Sequence, residues 1–305
     1  MWQRILHYTI TTSDHQKTIH EFLKAHGYSA SVIRHMKETE NGIQKNGIWA
    51  RVHESILPGD TLTLILEENT SSEHIMPSPL PLHIVYEDDD LLVINKDAGV
   101  PIHPSQGNFD NTLANACAYY FAQKGEPFTY RCINRLDRDT TGLLIIARHA
   151  YSASLLSDMV AKKEIHREYL ALAAGLVPDQ GVIDAPIGRV ADSTIEREVN
   201  YETGDAARTN FKRLAYYEPQ NLSLVSLILE TGRTHQIRVH MAYIGHPVAG
   251  DAVYGSEKQP KICQALNGQC LHAKCIGFVH PVTGENLYFE SDLPTYFTDF
   301  IQKLQ

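Results

Sequence analysis

Nowhere does the chain run to the roughly 18 uninterrupted apolar residues that a membrane-spanning helix needs, so no transmembrane segment is expected. The opening residues, MWQRILHYTITTSDHQ, lack the apolar core and small-residue cleavage site of a signal peptide. Cysteine is sparse. Cys117, Cys132, Cys263, Cys270 and Cys275 are odd in number and form no CxxC pair, a pattern of reduced thiols in a cytosolic protein rather than a disulfide framework. Cys270, His272 and Cys275 have no second ligand cluster to complete a zinc site and read as scattered core residues. Positive charge is also short. With 27 Lys and Arg against 36 Asp and Glu, the net charge of -9 excludes a non-specific nucleic-acid coat protein. It leaves room for a local basic groove, because the local field rather than the total steers a ligand.

Nucleotide and metal motifs are missing as well. There is no GxxxxGK[ST] loop and no GxGxxG after a strand. There is no GxSxG elbow and no HExxH helix. Neither a nucleotide cofactor nor a catalytic metal is indicated. No internal repeat or low-complexity tract occurs.

What is present is an ordinary globular composition, 43% hydrophobic and 21% charged. The length suits two domains, or one large domain with an appendage. Residues 1–68 read as a first unit. Thr18 to His26 is a short amphipathic helix stopped by Gly27, and Ala30 to Lys37 is a second helix. Turns at Asn46-Gly47 and Pro58-Gly59-Asp60 follow, then a strand over Thr61 to Leu66. Residues 69–82, polar and then proline-rich, read as a linker.

Residues 83–305 form the second unit. Strands are expected at His83 to Tyr86, Leu91 to Ile94, Gly142 to Ala147, from Glu168, at Leu222 to Glu230 and at Glu285 to Glu290. Helices are expected at Thr112 to Gln123, Tyr151 to Lys162, and from a Thr234 cap to about Ile244. Strands and helices mix without a strict β-α-β alternation. The fold class expected is therefore α+β: a mixed, mostly antiparallel sheet with flanking helices, plus a small N-terminal α/β module.

Chemistry concentrates in three segments. In the first, Arg131, Arg135 and Arg138 surround one acid, Asp137, at the mouth of the apolar run Leu143 to Ala147. A lone carboxylate among arginines suits work on an anionic polymer; a surface ion-pair cluster is the plainer reading. The second is His166-Arg167-Glu168-Tyr169. The third is Thr231 to His240, TGRTHQIRVH, where a strand delivers Arg233 to the mouth of a helix. Arg233 is the natural partner to hold Asp137 ionised. Arg238 falls one turn beyond Thr234, on a different face from Ile237 and Met241. His235 and Gln236 read as helix-capping and backbone-satisfying residues.

Taken in order, these motifs resemble the pseudouridine synthases of the large-subunit ribosomal RNA type. The match runs from Glu87-Asp88 and Val93-Ile94-Asn95-Lys96 through Arg135-Leu136-Asp137-Arg138-Asp139-Thr140-Thr141-Gly142 and Glu168-Tyr169-Leu170-Ala171. It continues through Thr231 to His240 and ends at Gly245-His246-Pro247, Gly250-Asp251 and Tyr254-Gly255. Residues 1–68 resemble the alpha-L RNA-binding module, which implies that Arg34, Lys37 and Lys45 face RNA phosphates.

The resemblance implies isomerisation of uridine in RNA to pseudouridine without cofactor or metal. Asp137 matches the essential aspartate, Tyr169 the tyrosine that stacks on the target base, and Arg233 the basic residue that pairs with the aspartate. Ile237 would line the uracil pocket. Arg135 and Arg138 would hold flanking phosphates, with Arg238 in the same substrate-binding set. Large-subunit ribosomal RNA is the expected substrate, with transfer RNA the other candidate. The protein is expected to be monomeric and cytoplasmic, with no membrane partner. Three positions depart from the family pattern: Asn134 where it has His, Thr141 where it has Ser, and Asp97 where it has Pro. A non-catalytic RNA-binding assembly factor and a uracil-releasing hydrolase are the alternatives from other classes.

Overall fold

A computed structural model describes residues 1–193, 195–255 and 259–304. The first 68 residues build their own sheet and core. Strands β1 (Trp2–Thr9), β2 (Ile43–Lys45), β3 (Ile48–Trp49) and β4 (Thr61–Glu68) lie in the order β1-β4-β2-β3. Helices α1 (Ile19–Ala25) and α2 (Ala30–Glu38) pack on them. Thr18 and Glu21 form a reciprocal capping box at the start of α1, and Ser29 accepts from the Val32 amide to start α2. Asn46 and Gly47 both take positive φ, 53° and 80°, which is what a two-residue hairpin between β2 and β3 requires. Strand β1 has no counterpart among the sequence expectations. Its buried residue is Leu6 alone, and its partner β4 lies some sixty residues away in sequence, so local patterning carries little trace of it.

Residues 69–82 contain no helix or strand, as their prolines dictate. They lie against the body of the protein. The Ser72 amide donates to the Phe128 carbonyl, and the Phe128 and Tyr130 amides donate to the Ser71 and Ser72 hydroxyls.

The body holds β5 (Ile84–Glu87), β6 (Leu91–Lys96), α3 (Leu113–Gln123), β7 (Arg131–Cys132), β8 (Thr141–Ala147), α4 (Ala150–Ala161) and β9 (His166–Ala174). It continues with β10 (Gln180–Asp184), β11 (Ile187–Arg189), β12 (Arg197–Val199), β13 (Arg208–Tyr217), β14 (Leu222–Leu229) and α5 (Gln236–Tyr243). Strands β15 (Leu271–Val279) and β16 (Asn286–Glu290) and helix α6 (Thr295–Gln302) complete it. One sheet runs β10-β13-β14-β9-β15-β8-β6-β5, with β16 beside β15 and β7 beside β8. Only the β15–β8 pair is parallel among the described strands, so the sheet is mixed and mostly antiparallel, as expected. Strands β10 to β13 and β15 fall where sequence patterning gave no element.

Strand β8 explains itself. All seven residues are buried, because β15 and β6 flank it and side chains cover both faces; hence the unbroken apolar run. Its second residue, Gly142, has φ of 105°, and a Cβ there would lie 2.2 Å from the Ala273 carbonyl oxygen. Only glycine lets β8 and β15 meet at that point. Gly142, Ala273 and Tyr169 stand in register across β8, β15 and β9.

The first unit is fastened to the body. Tyr28 and Tyr151 stack at 3.8 Å, and Tyr151 sits inside the core of the first unit. Arg4 of β1 pairs with the buried Asp90 at 3.0 Å, and Glu68 of β4 pairs with Arg131 at 2.9 Å. Arg131, the first arginine of the Asp137 cluster, is thereby committed to structure.

Candidate active site

Asp137 lies in the loop between β7 and β8, with its side chain one-fifth exposed. The turn that holds it is closed by the Thr140 amide donating to the Asp137 carbonyl at 3.1 Å. Its Oδ2 accepts a hydrogen bond from Arg238 Nη1 at 3.0 Å. Arg238 in turn grips Asp251 with Nε at 2.6 Å and Nη2 at 2.9 Å. Its guanidinium also stacks 5.0 Å from the Tyr254 ring centroid. Burial works against the Arg238 charge. The hydrogen bonds and charges of Asp251 and Asp137 outweigh it and push the guanidinium pKa above its ordinary value.

This pairing corrects the sequence expectation. Arg233, expected on Asp137, is exposed and engaged elsewhere, with Nη1 3.6 Å from Asp205 and Nε donating to the Ala206 carbonyl. The expectation rested on Arg233 standing at the mouth of the helix, and it set Arg238 on a different face from the apolar Ile237 and Met241. Gln236 to Met241 of α5 are all buried, so Arg238 points into the protein and meets Asp137 there. The helix also starts later than Thr234. His235 takes the N-cap position in the left-handed region, φ 58°, and makes no side-chain cap. Its Nδ1 bonds the Tyr254 hydroxyl at 2.8 Å, and its Nε2 stands 3.8 Å from Asp137 Oδ1. Burial pushes its pKa below the usual histidine value, so the ring is neutral at neutral pH. Gln236 does satisfy backbone as expected, accepting from the Arg233 amide and donating to the Arg208 carbonyl.

Tyr169 comes from β9, and Ile237 from the first turn of α5. Both are buried, and together with Asp137, Leu136, Leu271 and Arg238 they wall a small inner pocket of about 50 Å³. Burial raises the Tyr169 pKa, and the Asp137 charge adds to this while Arg167 opposes it. The phenol is therefore protonated at neutral pH. The inner pocket continues into an outer cavity of about 470 Å³. Asp137, Tyr169, Arg135, Leu229 and Arg233 line both. Arg135 is exposed at the mouth. Arg138 is exposed too, in a two-bond pair with Asp139 at 3.0 Å, which as a surface pair is easily exchanged for another anion.

The three departures from the family pattern have structural explanations. Asn134 is buried, and its Oδ1 accepts from the Ile145 amide of β8 at 2.8 Å. Thr141 Oγ1 bonds His272 Nδ1 at 2.8 Å. Asp97 pairs with His83 at 3.0 Å on the surface. Lys96 beside it donates to the carbonyls of Asp97, Val100 and Arg138, which ties β6 to the Asp137 loop. Asp251 was legible only as part of a Gly-Asp turn; its hold on Arg238 crosses from turn to helix and leaves no mark in spacing.

The chain matches the RNA pseudouridylate synthase family over residues 90–243. It is 36% identical to the uncharacterized RNA pseudouridine synthase YjbO of Bacillus subtilis (strain 168), over 93% of this chain and 98% of that protein. The chain belongs to the RNA pseudouridylate synthase family. It is 36% identical to the ribosomal large subunit pseudouridine synthase D of Pasteurella multocida (strain Pm70), over 91% of this chain and 87% of that one. Among solved structures, human RNA pseudouridylate synthase domain containing 1 superposes with a TM-score of 0.58 at 26% identity, over 73% of this chain and 94% of that one. As an RNA pseudouridylate synthase the protein is an isomerase that converts uridine in RNA to pseudouridine.

Proposed function

We propose that Asp137 is the essential catalytic carboxylate, with Tyr169 as the ring on which the target uracil stacks and Arg238 as the cation that orients the acid. One observation carries this reading: Asp137, Tyr169 and Arg238, itself held by Asp251, converge on one pocket from separate parts of the chain. Oδ2 of Asp137 is occupied by Arg238, whereas among the described residues Oδ1 has only His235, beyond hydrogen-bond distance. Oδ1 is thus the oxygen available for reaction.

The reaction balances within the substrate. The bond from uracil nitrogen 1 to sugar carbon 1′ breaks, the base turns, and carbon 5 bonds to carbon 1′. The proton lost from carbon 5 is matched by one gained at nitrogen 1. Attack of Asp137 on the sugar, its addition to the base, and removal of the sugar 2′ proton all require an ionised, fixed carboxylate. The uridine must leave its stack to reach the pocket. That costs a few kcal/mol, and stacking on an aromatic side chain returns about 1–3 kcal/mol.

The substrate proposed is large-subunit ribosomal RNA, with transfer RNA second. The Pasteurella relative's name and the unit preceding the body support this. We take residues 1–68 as an RNA-binding module joined by 69–82 to a catalytic domain, 83–305, in a monomeric cytoplasmic protein. Arg34 and Lys37 are exposed on α2. Lys37, Trp49, Arg51 and His53 line a cleft of about 180 Å³ without an acidic residue. Lys45 contributes less than expected, because it is tied to the Ser55 carbonyl and Glu54.

The deciding experiment compares pseudouridine maps of total RNA from cells carrying the wild-type gene, no gene, or Asp137→Asn. The expected result is one or more sites present only with wild type, while purified Asp137→Asn still binds RNA. Full modification by Asp137→Asn would overturn the assignment.

A further inference from the structure

The outer cavity holds a buried cation that the account so far does not use. Arg167 lies on β9 two residues before Tyr169, so both side chains leave the same face of the strand. Arg167 is 7% exposed. Its Nε has no hydrogen-bond partner, and no carboxylate among the described residues lies within ion-pair distance. Its Nη1 passes beneath Gly232, where a Cβ would come within 3.2 Å of it. The two acids that line the cavity are already engaged. Asp137 pairs with Arg238, and Glu230 pairs with Lys163 and Arg208. Asn134, which also lines the cavity, has a second buried donor without an acceptor. Its Oδ1 is fixed by the Ile145 amide, which leaves Nδ2 unpartnered.

A buried guanidinium without an anion is costly, and natural structures pair such groups or present them to a ligand. A formal charge is neutralised only by an anion, and the anion an RNA carries is its phosphodiester. The guanidinium fork fits phosphate oxygens in pairs. Two residues along a strand span about 7 Å, comparable to the reach from a base to its own backbone.

We propose that Arg167 and Asn134 form a phosphate subsite in the outer cavity, which takes a phosphodiester flanking the flipped uridine while its base enters the pocket at Asp137. The subsite rests on the reading that uridine reacts at Asp137. It supplies what the exposed Arg135 and Arg138 cannot: a fixed anchor inside the site rather than an attraction at its rim. Gln in place of Arg167 removes the charge; Lys keeps the charge and loses the fork.

The test uses the full chain carrying Asp137→Asn, so that nothing turns over, with two fluorescent probes. One is pentauridylate. The other is the same oligomer with neutral methylphosphonates on both sides of the central uridine. Binding is read by anisotropy, and folding by thermal melting. Added Arg167→Gln is expected to weaken binding of the phosphodiester roughly 10- to 100-fold, with little change for the methylphosphonate probe. Arg167→Lys should fall between. An equal loss on both probes, or no loss on either, overturns the proposal. If Arg167→Gln does not fold, the parent protein decides alone: equal affinity for both probes overturns the subsite. Failure of the catalytic reading shows itself elsewhere, as wild-type protein that forms no pseudouridine, and leaves the probe comparison standing.

Discussion

Arg238 holds Asp251 by two hydrogen bonds, at 2.6 and 2.9 Å, and the Asp251 side chain is fully buried. With one guanidinium edge fixed, only Nη1 remains for Asp137. Asp251 therefore sets the position of the Asp137 carboxylate without touching it. Asp251→Asn should lower kcat roughly 100-fold with little change in KM, the scale expected when a reacting group is displaced by about 1 Å. Asp251→Ala should also destabilise the fold by about 3–5 kcal/mol, because it strips the partner from a buried charge. Single-turnover assays and thermal melts separate the two; unchanged kcat in Asp251→Asn would remove its positioning role.

The two arginines of the third motif should part company. Arg238→Ala should abolish turnover. Arg233→Ala, which removes an exposed side chain paired at 3.6 Å with Asp205, should keep kcat within a few-fold and raise KM at physiological salt, the signature of a lost backbone contact. Comparable kcat losses in both variants would return Arg233 to the catalytic centre.

Gly142 to Ala is the sharpest structural test. Its φ of 105° and the 2.2 Å approach to the Ala273 carbonyl leave no room for a methyl group. We expect a loss of about 3 kcal/mol or more, well beyond an ordinary glycine-to-alanine change. Denaturant melts that show no loss would mean that β8 and β15 can separate at this point.

Stability should also fall with acid in a defined window. Burial pushes His272 down to about 4, against an ordinary histidine value of 6.5. The unfolded chain then takes up its proton first as pH drops. Stability is complete above pH 6.5, declines down to about 4, and stays level below that as far as this group is concerned. The span amounts to roughly 3 kcal/mol. His272→Gln should flatten that slope relative to wild type in urea melts at stepped pH. An identical slope in the two proteins would assign the acid loss to other groups.

The readable parts of this protein were those written in one segment. Strand β8 is a continuous apolar run because it is buried on both faces. Asp137 stood out as one acid among arginines, and Tyr169 as an aromatic in a polar quartet. Relationships between segments were less visible. Arg233 and Arg238 sit five residues apart, and only the burial of α5 on all sides decides which one reaches Asp137. Strand β1 is half exposed and pairs across the length of the first unit. Arg167 reads as an ordinary basic residue until the missing carboxylate around it is known.

The fastening of the first unit to the body bears on how the chain comes to be folded. Strand β1 leaves the ribosome well before its partner β4, and its Arg4 meets an aspartate 86 residues further on. Tyr28 waits still longer for Tyr151. Closing such distant contacts is slow. During synthesis β1 can pair as soon as β4 has been made, whereas the surface of the first unit that carries Arg4 and Tyr28 stays uncovered until Asp90 and Tyr151 follow.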